Sequence, residues 1–553
     1  MSTVVYFVEL TGVLKSDGTT SRVFGWSSKD RGGYLKRTAD TGLSADEPYY
    51  APRVIDPGSW RQSIVGRVNL FGKADSTKGT IRAANLDGGL NILRDYAFDG
   101  RTAKIMRGEL DSSGALKTGT LTTVLKARVR FPLVGSTVVV DFVDRSGQFE
   151  RVQLQPDKFA GTGGTTGYEG DANLAGRPRP RCWGEINDLS PPLVASGLLI
   201  YQLADTLIDG ISEVTDGGDA ITEGTDYASF AALAAATTTA STFDYFLGSD
   251  TVGFGNDPDG GAYIKLGTLP SFAVTCTFDG TTGGFAFTVT AVSIAYSLLE
   301  HRLGYDITSG STDVDTDALD ALEALTSINV GLAYTEEVTI SQVFDDAFGS
   351  IGAWWGIDRS DRFTCGRLEL PDATATPDLE LTVSNILGGE DPDAIQVIEF
   401  GILGSIPVGR VQLGYQRNYT VLKGGQLDPN VAAVDRAYYA QEFRLGTPSN
   451  GLDQDTLDLH PQSAPFQHNT HLEGLGDTDD EAARLLAMLK TETFCIRVPV
   501  RPNVAAALPA GGHVKVTVPY HGMDAGLHFT MVQSEDAYAS DRSVLTLWGG
   551  IAA

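Results

Sequence analysis

The first part of the chain carries the alternation of apolar and polar positions that is typical of strands. In residues 122–131 (TTVLKARVRF), apolar side chains recur at every second position from Leu125 onward, which predicts a strand with one buried face. Residues 137–143 are nearly all apolar and rich in valine, and residues 4–8 form a similar run. Because β-branched side chains favour the pleated backbone, both runs are predicted strands, with 137–143 at the centre of a sheet.

A second group of short apolar runs lies between residues 186 and 300. The small-residue segment 229–236 is the one predicted helix there, and the apolar stretch 193–204 is too short to cross a membrane and is predicted to be a buried strand. The remaining runs predict a meander of antiparallel strands. They are 198–203, 211–214, 262–266, 272–278 and 285–291.

Helical spacing appears after residue 300. Leucines recur every third position in 316–325, and Thr339 to Gln342 has the form of a capping box in front of an apolar stripe that ends at Ile351. The apolar run 354–357, the polar turn 358–361 and the run 363–370 follow. The pattern therefore predicts helices and then a β-hairpin.

The last part of the chain mixes predicted strands with one helix. A second capping box, Thr478 to Glu481, precedes leucines that share one face. Strands are predicted around it at 394–400, 408–415, 493–499, 513–519 and 544–548. The fold class predicted for the whole chain is therefore mainly β with a few short helices (α+β), built from several barrel-like or sandwich-like domains.

The length of 553 residues exceeds what one hydrophobic core supports, so several domains are expected. The Arg-Pro pairs in 176–181 impose extended backbone and predict a rigid connector. We place domain boundaries from these breaks in pattern. The predicted domains are 1–182 (β-rich), 183–300 (a β-rich inserted module), 301–395 (helix plus hairpin) and 396–553 (a β-domain with one capped helix).

Composition supports a packed protein with an acidic surface. Hydrophobic residues make up 42% of the chain, and glycine is frequent at 64 residues, often after aspartate as in tight turns. The formal net charge is −28, which disfavours specific binding of nucleic acid through a basic face. Such charge serves general solubility, and it would also let a duplex slide through a channel without being held.

The four cysteines and the amino terminus are typical of a protein folded in a reducing cytoplasm. Cys182, Cys276, Cys365 and Cys495 are far apart and form no C-x-x-C pair, so they are predicted to be free, buried thiols. The chain start lacks the basic and apolar segments of a signal peptide. No stretch of about 18 apolar residues predicts a membrane span.

Sequence motifs of common enzyme classes are absent. The chain has no G-x-S-x-G, no H-E-x-x-H and no Walker A loop, and the glycines of 161–164 are not followed by the lysine that a phosphate loop needs. Acidic residues are abundant, so a glycosidase pair is not excluded, but no pair is singled out. We predict no catalytic residues, no cofactor and no enzymatic activity.

Three motifs have a binding interpretation beside a structural one. Residues 313–317 (DVDTD) begin like a calcium loop but lack its later glycine and glutamate, so acidic residues at a helix start are favoured. His468 and His471 could share a metal, yet their polar neighbours favour a surface loop, and no metal ligand is assigned. The tryptophans could form a sugar platform but are more typical of a core. They are Trp60, Trp183, Trp354 and Trp355.

Three stretches together resemble the tail-tip hub proteins of long-tailed bacteriophages and the related gene transfer agents. The first has the turn Asn85-Leu-Asp-Gly88 and the run Asp95 to Arg101 within 56–109. The second is 260–280, with a Gly-aromatic start, Leu-Gly, a proline and a threonine-rich strand. The third combines the helix at 478–490 with the closing strands 508–519 and 544–550. The order of these stretches carries the resemblance.

The resemblance implies a trimeric hub of β-barrel domains around the end of the tail tube. Two such domains per subunit would form a pseudo-hexameric ring, with contacts expected on the N-terminal domain and on 396–553 while 186–300 faces outward. Implied partners are further copies of the chain, a distal tail protein, the tail tube, the tape measure protein and a central fibre or spike. The implied location is the virion tail tip, assembled in the host cytoplasm, with roles in host attachment and genome ejection. Alternatives are a hexameric distal tail ring, a receptor- or carbohydrate-binding adhesin and, last, a polysaccharide-degrading enzyme.

Overall fold

A computed structural model describes residues 3–29, 33–38, 40–65, 70–77, 79–163, 168–250, 259–281, 289–400, 403–445 and 451–552. The chain is mostly β, with 39% strand and 18% helix in several sheets, which confirms the predicted fold class. No helix in these ranges has the length and apolar composition that crossing a bilayer requires.

The first 150 residues form mainly one large antiparallel sheet, called here the N-terminal sheet. Its strand order is β3-β4-β2-β1-β11-β12-β13-β9-β5, with β10 also pairing with β1. The helix α1 (Ser146–Phe149) follows it. The strands of this region are β1 (Thr3–Leu14), β2 (Ser21–Ser27), β3 (Tyr34–Leu35), β4 (Tyr49–Pro52), β5 (Val54–Asp56), β6 (Ser59–Ser63), β7 (Gly72–Lys73), β8 (Asp75–Thr77), β9 (Gly79–Ala84), β10 (Tyr96–Ala97), β11 (Thr102–Leu110), β12 (Thr122–Val134) and β13 (Thr137–Val143).

The middle of the chain forms two smaller sheets packed around one apolar core. One has the order β15-β23-β18-β19 and the other β16-β17-β22-β21-β20. Their facing sides share a core that includes Ile186, Leu203, Ile264 and Phe278. The elements are β14 (Arg181–Trp183), β15 (Glu185–Leu189), β16 (Leu193–Ala195), β17 (Ile200–Ala204), β18 (Gly210–Asp216), β19 (Asp219–Ala220), β20 (Thr222–Asp226), α2 (Phe230–Ala235), β21 (Thr242–Phe246), β22 (Ala262–Leu266) and β23 (Val274–Asp279).

A helical layer and the predicted hairpin follow. Thr339 caps its helix through its side chain, as predicted, accepting a hydrogen bond from the backbone N–H of Gln342. The hairpin packs on the helices in a core that contains Phe344 and Trp355. The elements are α3 (Ala291–Ser297) with a π-helical turn (Leu298–Arg302), α4 (Thr316–Leu325), β24 (Leu332–Tyr334), α5 (Ile340–Ser350), β25 (Ala353–Ile357) and β26 (Phe363–Arg367).

The last part of the chain builds a second large sheet, the C-terminal sheet, in the order β27-β33-β34-β35-β32-β28. A short sheet, β30-β29-β31, lies beside the long helix α8. The elements are β27 (Leu379–Thr382), β28 (Gln396–Ile398), β29 (Val411–Tyr415), α6 (Ala433–Tyr439), β30 (Arg444–Leu445), α7 (Gln454–Leu459), β31 (Phe466–Asn469), α8 (Leu475–Lys490), β32 (Phe494–Val500), α9 (Pro502–Ala506), β33 (His513–Thr517), β34 (Leu527–Ala537) and β35 (Arg542–Ala552).

Two strands from the N-terminal part of the chain, β6 and β8, belong to the C-terminal sheet. After β5 at the edge of the N-terminal sheet, the chain passes through Pro57 and Gly58 into β6, which pairs with β34 of the C-terminal sheet. Strand β8 pairs with β6, and the following β9 returns to the N-terminal sheet. Gly58 has a φ of +98°, a conformation that only glycine adopts without strain, so the crossing has a sharp turn at this position.

Buried ion pairs add to this junction. The Arg107 side chain, 1% exposed, donates from Nε to Asp541 at 2.7 Å, and the Tyr6 hydroxyl donates to the same carboxylate at 2.7 Å. Arg359 pairs with the buried Asp536, and Tyr538 packs within the N-terminal core. Residues from both ends of the sequence therefore form one continuous packed unit.

Three local predictions are corrected. Residues 176–181, predicted to be a rigid connector, belong in part to the packed fold, because Arg179 and Arg181 are each 1% exposed and β14 begins at Arg181. Stretch 193–204 folds into two strands rather than one. Helix α8 begins at Leu475, so Thr478 lies inside it and donates its hydroxyl proton to the Gly474 carbonyl at 2.7 Å instead of capping the helix.

Other predictions stay open. Residues 285–288 of the strand predicted at 285–291 lie outside the described residues, and α3 begins at Ala291. The boundaries of the four domains remain predictions. Because β6 pairs in the C-terminal sheet, sheet membership does not follow chain order across them.

Candidate assembly surfaces

Strands β12 and β13 carry apolar side chains on both sides of the N-terminal sheet, and β9 lies beside β13. On one side Val138 and Val140 are fully buried in the core. On the opposite side the strand register places Leu133, Val139 and Arg82 in one row. The alternation that predicted β12 thus accounts for its buried side but leaves apolar residues on its other side.

The next row on this outward side contains Phe131, Asp141 and Thr80. The register shifts between Val129 and Phe131, so a bulge in β12 follows the basic stretch of the strand. Phe131 is 59% exposed and Leu133 is 57% exposed, which is unusual for large side chains so close together. We call this side the outer face, and its residues are Thr80, Arg82, Arg130, Phe131, Leu133, Val139 and Asp141.

Arginines surround the apolar residues of the outer face. Arg82 and Arg130 belong to it, and Arg94 reaches it by donating to the Val134 carbonyl at 2.9 Å. All three arginines are exposed. Within the described ranges, none of the three forms an ion pair. An apolar centre with arginines at its margin is the composition that protein interfaces favour.

A shallow groove extends the outer face toward the C-terminal sheet. Its volume is about 530 Å³. It is lined by Asp56, Gly58, Ser59, Thr80, Arg82, Val139, Asp141, Ala537 and Ala539. The outer face therefore crosses the junction between the two large sheets.

The edge of the C-terminal sheet at β28 is a second exposed surface. Val397 pairs with the buried Ile496, so it lies on the core side of the sheet, yet it is 57% exposed. Among the described strands, β28 pairs only with β32. Four exposed carboxylates surround Val397 in the sequence, none with an ion pair in the described ranges. We call this the acidic edge, and its residues are Glu390, Asp391, Asp393, Val397 and Glu399.

A larger polar cleft of about 960 Å³ lies between the N-terminal sheet and the helical layer. Some of its charged side chains form ion pairs: Arg145 contacts Asp313 at 2.6 Å and Asp361 at 2.9 Å, and Arg128 also contacts Asp361. The two arginines thus neutralise these carboxylates and fix their position. These pairs stabilise the contact between the two layers.

The motif 313–317 is used in ion pairs. Asp313 pairs with Arg145, and Asp315 with Arg362 at 2.8 Å, in front of helix α4. The described part of the chain contains no group of three or more metal-ligating side chains suited to an ion. The acidic residues at this helix start therefore link it to neighbouring elements.

The structure corrects the expectation of a surface loop at His468 and His471. His468 Nε2 lies 3.0 Å from the Gly349 carbonyl oxygen, and His471 Nδ1 lies 3.3 Å from the Tyr419 hydroxyl. Burial lowers the pKa of His468 and lowers that of His471 to about 3. Both rings are therefore neutral packing groups at pH 7.

The four tryptophans and the four cysteines named above are buried, as the sequence predicts for residues of a core. Trp60, Trp183, Trp354 and Trp355 are between 0% and 6% exposed, so they form no sugar platform on the surface. All four cysteines are free and buried, as predicted.

The contact between His513 and His528 was not predicted from the sequence. His513 Nε2 and His528 Nδ1 lie 2.8 Å apart across β33 and β34, so one ring donates a hydrogen bond to the other. Burial, and then the neighbouring His513, lower the pKa of His528. A prediction that 513–519 forms a hairpin with the strand after it would have placed these two residues together.

Comparisons with known proteins give distant structural likenesses. No family model matches the sequence, and no curated protein matches it. The fold is similar to a tail protein from Neisseria meningitidis MC58 over 89% of this chain and 91% of the other, at 8% identity and a TM-score of 0.36. It is also similar to a chain of a native gene transfer agent virion (68% and 84% covered, 12% identity, TM-score 0.36) and to prophage tail protein gp18 of Listeria monocytogenes EGD-e (98% and 94% covered, 5% identity, TM-score 0.36). At these identities and scores the likenesses assign no function to the chain.

Proposed function

We propose that this chain is a structural, non-enzymatic subunit of a phage-type tail, and that several copies form a closed ring, with three copies expected, at the end of the tail tube. The observation that carries the proposal is the pair of large, mostly antiparallel sheets joined where β6 leaves the N-terminal part of the chain and pairs in the C-terminal sheet. A fixed pair of sheets per subunit would give six sheets in a ring of three, which suits a tube of sixfold symmetry. The motifs at 85–101, 260–280 and 478–550 support the same family.

The unpartnered surfaces support assembly. The outer face and the acidic edge expose large apolar side chains that burial on another protein would remove from water. A ring joined by such contacts buries unlike surfaces, as heterologous interfaces do. At the large cleft, Asp313 and Asp361 are held in ion pairs with Arg128 and Arg145, which favours a structural role over a catalytic one for these groups.

The net charge suits a lumen through which DNA passes. With a formal charge of −28, the surface repels phosphate and would not retain a duplex by releasing counterions. In this proposal the ring lies at the virion tail tip, closes the tube before ejection and contacts the distal tail protein, the tape measure protein and a central fibre or spike.

The module 183–300 is proposed to point away from the ring axis. Strand β20 of this module is exposed along its whole length, and β19, the strand before it in the sequence, is exposed as well. Such strands leave a polar surface free for contact with a host or with another tail protein.

The oligomeric state of the purified protein tests the proposal. Light scattering should give three times the chain mass of 58.8 kDa, and negative-stain images should show threefold particles. Sixfold particles would favour a distal tail ring instead. A stable monomer, with tail neighbours present, or release of reducing sugar from host glycan would overturn the structural proposal.

A further inference from the structure

We infer that the acidic edge of one copy docks on the outer face of the next copy, so that these two surfaces join the subunits of the ring. The inference rests on the proposed function, because it identifies the contacts of that assembly. The occupant of each surface is thus a second copy of this chain.

The apolar parts of the two surfaces match in kind. The outer face presents Phe131 and Leu133, 59% and 57% exposed, as neighbours on β12. The acidic edge presents Val397, which is 57% exposed and lies on the core side of β28. Among the described strands, β28 pairs only with β32, so its other edge is unpaired. Packing Val397 against Phe131 would extend the C-terminal core across the subunit boundary and remove three large side chains from water.

The charged parts are complementary in sign. Arg82, Arg94 and Arg130 frame the apolar centre of the outer face. On the acidic edge, the exposed carboxylates Glu390, Asp391, Asp393 and Glu399 lie within seven positions of Val397 in the sequence. In a chain of net charge −28, a second copy offers the excess of acidic groups that would pair with these three arginines.

The two surfaces belong to the same chain but do not cover one another. Each is exposed in the folded subunit, on a different sheet. Two different complementary surfaces on one rigid subunit join head to tail, and such a chain of contacts closes into a ring when the rotation per subunit allows it. This geometry agrees with a cyclic trimer and differs from the self-matching contact of a twofold dimer.

Charge reversal on each side, and then on both, tests the pairing. Variant one carries Arg82→Glu and Arg130→Glu, and variant two carries Asp391→Arg and Asp393→Arg. Variant three carries all four changes. The matched control reverses exposed charges elsewhere, Lys423→Glu with Asp219→Lys. Light scattering over a dilution series measures the ring fraction, and circular dichroism melting confirms that each variant is folded.

We expect variants one and two each to raise the dissociation constant of the ring by about tenfold or more, because like charges then face one another. Variant three and the control should assemble as the wild type does. The inference is overturned if the wild type is a ring and variants one and two, both folded, assemble normally. It is also overturned if variant three stays dissociated, or if the changes affect only binding of another tail protein. A monomeric wild type would instead contradict the proposed function itself.

Discussion

At the residue scale, a few buried charged groups connect the first and last strands of the chain. Asp541 accepts hydrogen bonds from Tyr6, Arg107 and Arg501, all at 2.7 Å. Burial acts to raise the pKa of Asp541, but the bonds from Arg107 and Tyr6 outweigh it and hold this pKa below its usual value. The carboxylate therefore stabilises the fold above the pKa of the unfolded chain, and this contribution is lost as the pH falls through the lowered value.

Replacing this carboxylate should weaken the junction of the sheets. Asp541 has a φ of +48°, which asparagine also tolerates, so Asp541→Asn removes the charge without straining the backbone. We expect the free energy of unfolding to fall by about 3 kcal/mol, since the buried Arg107 loses the closer of its two carboxylate partners and keeps only Glu109 at 3.4 Å. Urea denaturation measures this loss. The exposed Asp95→Asn serves as the control, and an equal effect of both substitutions would contradict the role of the pair.

Because buried His471 is neutral in the folded protein, the free energy of unfolding should depend on pH. The pKa of His471 is lowered to about 3, against about 6.5 in an unfolded chain. The unfolded chain therefore binds the proton first, and the stability conferred by His471 is complete above about pH 6.5 and declines as the pH falls below it. Between pH 7 and pH 5 this one group should cost about 1–2 kcal/mol.

The variant His471→Gln isolates that group from the other titrating residues. Thermal melting at pH 7 and at pH 5 should show a smaller loss on acidification in the variant than in the wild type. Equal losses in both proteins would show that His471 does not titrate as its burial implies.

At the scale of elements, β6 is the strand on which the junction depends. It pairs with β34 on one side and with β8 on the other, so its backbone groups are used on both edges. Proline within such a strand removes a ladder hydrogen bond and collides with its neighbours. Gln62→Pro should therefore destabilise the protein by about 3 kcal/mol or more.

The control for this substitution is Gln62→Ala. It keeps the backbone N–H and loses only the side-chain hydrogen bond from the Gln62 amide to the Ile357 carbonyl at 2.9 Å. We expect the alanine variant to lose about 1 kcal/mol, as measured by urea denaturation. A proline variant as stable as the alanine variant would contradict the structural role of β6.

Local elements were predictable because their signals are local. Alternation identified β12, and the side chain of Thr339 caps α5 as its sequence predicts. The similar pattern at Thr478 failed because the helix already begins at Leu475, and the motif does not record where the chain before it becomes helical. Burial of 178–181 was missed because proline and arginine indicate extended, polar chain, whereas here Arg179 and Arg181 pack on aromatic rings.

Contacts between distant parts of the sequence could not be predicted. Ser63 and Val532 lie 469 residues apart, and no periodicity in either segment selects the other as its partner. The outer face was missed for a related reason. Alternation in β12 shows which side is buried, but it does not show that Phe131 and Leu133 occupy the other side after the bulge.

At the scale of the whole molecule, the acidic surface predicts weak interaction with nucleic acid. At physiological salt we expect no shift of duplex DNA in an electrophoretic assay, because a net charge of −28 repels the phosphate backbone. A DNA-binding protein of similar size serves as the positive control. A shift that disappears as salt rises would reveal a basic contact surface. It would contradict the proposal that DNA passes through the lumen without being retained.

The crossing of the chain at Pro57 and Gly58 determines how the subunit responds to force. Strand β6 is hydrogen-bonded along both edges, to β34 and to β8. Tension between the two large sheets therefore loads several of these backbone hydrogen bonds in shear at the same time, and they do not break one after another. A pore made of such subunits would widen when whole subunits tilt relative to one another, while the two sheets within each subunit keep their arrangement.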